Sequence, residues 1–121
     1  MAEIPHLPGE ADALANVAAH TLARIGKALA RVGIHLPPPG AGAKLLEQAV
    51  EAALEEIPRR RLNPEVSGPL YGAVHTWLVA IDVIHVYLHD PADRRYRTVL
   101  DELAAAEVLA EVAMAAMDAM N

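Results

Sequence analysis

Apolar residues recur along the chain at helical spacing, and prolines and glycines cut that recurrence into four pieces. Helix one is predicted from about Glu10 to Val32, stopped by Gly33. It has an apolar stripe of Leu14, Val17, Ala18, Ile25, Leu29 and Val32 opposite Asn16, His20, Arg24, Lys27 and Arg31. The loop Ile34 to Gly40 holds three consecutive prolines and cannot be helical. Helix two is predicted from about Ala43 to Ile57, broken by Pro58, with Leu45, Leu46, Ala49, Val50, Ala53 and Ile57 facing inward. Asn63-Pro64 reads as an N-cap followed by proline in the first turn, opening a helix three that reaches about His89, with a kink or restart at Ser67-Gly68-Pro69. Asp90-Pro91-Ala92-Asp93 repeats the cap signal, and helix four continues to about Ala119. Residues 1–9 read as an extended arm. Short connections make successive helices antiparallel neighbours, so the expected architecture is a single all-α domain, an up-down-up-down four-helix bundle with Pro-rich connections.

Helix three departs from the amphipathic pattern of the first two. From Leu70 to Leu88 it has no Lys, Arg, Glu, Gln or Asn, and apolar residues cover most of its circumference. Its polar groups gather on one strip, Tyr71, His75, Asp82, His85 and His89, spaced 4, 3, 4, 3 and 4 when Leu78 is included. The strip is either the solvent face of the most buried helix or the lining of an internal polar site. Three histidines and one aspartate, where an exposed face more often carries Glu and Lys, favour the internal site. That placement leaves apolar surface elsewhere on helix three for neighbouring helices or a second subunit, as in a homodimer, to cover.

Composition narrows the chemistry. The 121 residues suit one domain, and 54 % hydrophobic against 21 % charged residues describe a folded chain. Twenty-five alanines, one serine and no phenylalanine reinforce the helical reading. There is no cysteine, which excludes disulfides and thiolate chemistry. A net charge of −6 argues against nucleic acid as a partner. The N-terminus shows no targeting signal and no membrane segment is expected, which leaves localisation undetermined and a soluble, cytoplasmic product on expression.

Two constellations carry candidate chemistry. His85 and His89 stand one helical turn apart, where two imidazoles converge on one ion with metal–nitrogen bonds of about 2.0–2.1 Å. His35, in the loop after helix one, is the third metal ligand expected, and a zinc-type transition metal suits this donor set. Such an ion with an open position makes hydroxide available near neutral pH. Asp82, one turn deeper, would accept the water proton, with Asp93 as second choice. The corresponding activity is metal-dependent hydrolysis of an activated ester or amide. The second constellation matches depths about the Asp90 turn: His75 lies 15 residues before it and Glu107 lies 17 after. Glu107 would face His75 and fix its tautomer as a second catalytic carboxylate. Small residues nearby, Gly72 and Ala104 to Ala106, would leave room for haem or another small-molecule ligand with His75 as the cofactor-binding residue. An inert structural or interaction module is the third reading.

Asp90-Pro91-Ala92-Asp93-Arg94-Arg95-Tyr96-Arg97, the tract Leu103 to Glu111 and the Asn63-Pro64-Glu65 cap resemble de novo designed helical bundles, as does the scarcity of Cys, Ser and Gln. The resemblance is one of style, without a family motif. It implies that polar groups on an otherwise apolar helix were placed for a chosen ligand, metal or reaction.

Overall fold

A computed structural model describes residues 8–120. Four α-helices carry the fold: α1 (Pro8–Arg31), α2 (Ala43–Arg59), α3 (Pro64–His89) and α4 (Asp93–Ala119), with a short 3-10 turn at Pro39–Ala41 before α2. There is no strand among the described residues. The all-helical four-helix bundle expected from the sequence is what forms, except that α1 and α2 are not the direct neighbours that their connection predicted. The arm expected at residues 1–9 lies outside the described residues, except that Pro8 and Gly9 already belong to α1.

The ends of the helices follow local chemistry. Gly33, at φ 83°, closes α1: its N–H donates to Ala30 O, and Ile34 N–H donates to Leu29 O. This pair of bonds satisfies the last carbonyls and turns Ile34 back into the core, where it is buried. The side chain of Asn63 accepts from Glu65 N–H at 2.9 Å and opens α3. Three boundaries differ from the sequence reading. α2 runs through Pro58 to Arg59, because a proline in the last turn costs one hydrogen bond and the helix ends one residue later. α3 is continuous through Pro69. Ala92, without a side-chain bond, caps α4, while Asp90 accepts from the Arg95 guanidinium at 2.8 Å instead.

α3 is the hub. It touches all three other helices, and α4 lies along it from Val99 to Met117. Close approach is possible at Gly72, where an added Cβ would lie 3.1 Å from Leu109 Cδ1. α1 packs on both α3 and α4, whereas α2 docks on α3 and makes almost no direct contact with α1 or α4. The core is one cluster including Leu14, Ile25, Leu29, Ile57, Leu70, Val74, Tyr87 and Leu103, all essentially inaccessible to solvent. α3 is long and apolar enough to cross a membrane by length and composition alone. Packing against three other helices buries a third of that stretch, and Tyr71, Val86 and Leu88 of α3 stay exposed.

Candidate functional site

Because α1 and α2 both lean on α3 without meeting, a groove opens between them. It has a volume of about 610 Å³. Its α1 wall is built of small residues, Ala15, Ala19, Ala23, Gly26 and Ala30, which recur on one face of the helix and keep that wall low. The floor is Trp77, Ile81 and Ile84 of α3, and Leu36, Pro37 and Pro38 close one side. The Trp77 indole N–H donates to Ala18 O at 2.9 Å, which fixes the ring between α1 and α3 and satisfies its buried donor. Ala18 has no larger side chain to hold the indole away.

Polar groups occur only at the rim. His85 Nε2 lies 3.0 Å from Glu47 Oε1, joining α3 to α2. Lys27 and His35 line the same groove. The lining is otherwise apolar, an arrangement typical of small-molecule sites, where a few polar groups orient a ligand held by apolar surface.

The residues singled out in the sequence are distributed differently from expectation. The interior placement expected for the α3 strip is not found: His75, Asp82, His85 and His89 are all exposed. The three neighbouring helices cover the wider apolar arc of α3 and leave this strip outside, because desolvating imidazoles and a carboxylate would cost more than leaving Leu78 and Val79 half-buried beside them. The pairing expected between His75 and Glu107 is also absent. Glu107 faces α1, where its Oε1 lies 2.7 Å from Arg24 Nε, while His75 stacks on Tyr71 with ring centroids 6.4 Å apart. Matching depth on two antiparallel helices does not make two side chains face each other, and the α4 stripe carrying Glu107 turns toward α1. His75 lines neither the groove nor a smaller cavity of about 380 Å³ bounded by Arg31, Val32, Leu62, Asn63, Val66, Met117 and Met120.

Of the three expected metal ligands, the structure brings His35 and His85 to one groove and leaves His89 outside it. Among the described residues, no three His, Asp or Glu side chains gather closely enough to hold a metal ion. Glu47, Lys27 and Trp77 were not identified as site residues. The small-residue face of α1 is the signal that could have found the groove, since it lies between the core stripe and the charged stripe and fits neither.

One further buried group stands in the last turns of α3. The Tyr87 hydroxyl donates to Glu10 Oε2 at 2.9 Å, and burial, followed by this bond to a carboxylate, pushes its pKa up to about 12. This contact ties the first turn of α1 to the last turns of α3. Comparison with protein-family models, characterised proteins and solved structures finds no match, so the function of this chain has to be argued from the groove's own residues.

Proposed function

We propose that the protein is a binding module for an amphipathic small molecule, with an apolar carboxylic acid as the best fit. The observation that carries this reading is the groove between α1 and α2: about 610 Å³, apolar along its floor and walls, with its polar groups confined to the rim. Sites of roughly 300–1,000 Å³ with this division of surface take drug-sized ligands. An apolar body would lie over Trp77, Ile81 and Ile84. The rim supplies the Lys27 ammonium and the His35 and His85 rings against one carboxylate, Glu47, which His85 already engages. That balance suits an anionic head.

Trp77 is the only tryptophan in the chain and forms part of the floor, so its fluorescence reports occupancy. Titration with a dansyl-labelled fatty acid should give saturable energy transfer from Trp77. Ala23→Phe fills the groove from an exposed position and should weaken binding at least about tenfold, or about 1.4 kcal/mol, without unfolding the bundle. Lys27→Glu should weaken binding of the acid and spare an uncharged ester of the same chain. No saturable transfer, or equal affinity in wild type and Ala23→Phe, would overturn the proposal.

Zinc-assisted hydrolysis is a second reading, favoured by the presence of His35 and His85 on the same groove beside Glu47. It requires the 33–42 loop to carry His35 toward His85. If zinc binds, His85→Ala should abolish uptake, whereas His89→Ala, outside the groove, should leave it intact. Zinc uptake that survives His85→Ala rules this reading out.

A further inference from the structure

We propose that the outer face of α4 is a self-association surface, on which a second copy of this chain lays its own α4 antiparallel about a twofold axis through Val108. Val108 and Val112 are 56 % and 47 % exposed, and Ala104, Ala105, Ala115 and Ala119 continue the same face in the open. This is not the solvated face an outer helix of an acidic bundle would normally present. No carbon longer than a valine's stands on it between Asp101 and Glu111, so a second helix can approach closely.

Two features select a second copy as the occupant. The first is size. An isologous interface must be complementary to itself. With the axis at Val108, each small Ala104 meets the partner's larger Val112, and Val108 meets its own counterpart. The second is charge. The N-terminal end of this face carries Arg94 and Arg97, both exposed and without an ion pair among the described residues, with one exposed carboxylate, Asp101, a turn further in. The C-terminal end is flanked on its α1 side by Glu111 and Asp118, which reach Arg24 and Arg31 of the same chain. Antiparallel pairing sets Arg97 beside the partner's Asp118, which already lies 2.6 Å from Arg31 within its own chain. Parallel pairing would instead set arginine against arginine and carboxylate against carboxylate. Exposed pairs of this kind add little affinity but decide orientation.

Sedimentation equilibrium of the full chain tests the proposal. The apparent mass should rise with concentration from 12.9 kDa toward twice that value. Val108→Glu should raise the dissociation constant at least about tenfold. Its helical content and melting should be unchanged, because the position is exposed. Arg97→Asp should weaken the dimer, and Arg97→Asp combined with Asp118→Arg should restore it. Because the chain has no cysteine, Val108→Cys gives a second readout. Residue 108 meets itself across the axis and should cross-link on mild oxidation. Residue 112 sits about 12 Å along the axis from its counterpart, so Val112→Cys should not, since a disulfide needs Cα atoms within about 7 Å. A monomer at every concentration, a dimer indifferent to Val108→Glu, or equal cross-linking at 108 and 112 would each overturn the proposal.

Discussion

α4 and α2 meet the same central helix in opposite ways. α4 buries Val99, Leu103, Ala106, Ala110, Ala113 and Met117, a stripe running almost its whole length. α2 buries only Val50, Ala53 and Ile57, none of them in its first two turns, which leave Leu45 exposed and turn Leu46 and Glu47 to the groove. The helices on either side explain the difference. α1 covers α4 as well as α3, so α4 is held from two directions. α2 faces the alanine wall of α1, whose side chains are too short to reach it. An open groove here results from residues that are too small to close it, and needs no strained backbone.

The comparison is most easily broken by large-to-small substitutions on its two sides. Leu103→Ala, on the fully buried side of α4, should cost about 2–5 kcal/mol in urea unfolding. Leu46→Ala, half-buried at the groove, should cost only about 1 kcal/mol and alter ligand affinity instead. Equal losses would mean that α2 is as firmly seated as α4.

A smaller effect tests how α1 is held. Tyr87→Phe removes the hydroxyl that donates to Glu10 and should cost about 0.5–1.5 kcal/mol. The wild type should also show a pH dependence that the variant lacks. The folded-state pKa of Tyr87 is raised from its ordinary value of about 10 to about 12, so its contribution is intact below pH 10 and lost as pH climbs toward 12. Urea midpoints measured across that window, wild type against variant, read the difference directly.

The smallest effect has the opposite sign. Thr21 is buried, and its Oγ1 finds no hydrogen-bond partner among the described residues. Thr21→Val replaces that hydroxyl with a methyl group of similar size and should leave stability unchanged or raise it by up to about 1 kcal/mol. A loss of stability on this change would point to a water bonded to the hydroxyl.

Much of the fold was legible because its determinants are local. Gly33, Asn63-Pro64 and the Asp90–Asp93 turn mark helix ends by their own backbone chemistry, and the polar stripe of α1 from Asn16 to Arg31 is exposed as its periodicity implies. Pro58 misled because a helix about to end loses little to a proline in its last turn, and Pro69, in the second turn of α3, does not interrupt that helix either. The site was harder to read because it depends on which helices fail to touch. Periodicity identified the His75–His89 strip but could not say which arc of so apolar a helix three neighbours would cover. His35 and His85 line one groove, but no three metal-binding side chains gather there among the described residues. Glu47 stayed hidden as one glutamate among several on α2 until the docking angle of that helix was known.

The turn at residues 90–92 has a consequence for how the chain reaches this structure. It joins α3 and α4 so closely that their long seam forms with almost no loop to close. The contact of Arg24 with Glu111, by contrast, spans 87 positions and waits on the collapse of everything between. Contacts near in sequence form at the lowest entropic cost. The expected folding order is therefore the α3–α4 hairpin first, α2 next against the adjoining α3, and α1 last, so that the groove gains its second wall only when α1 docks.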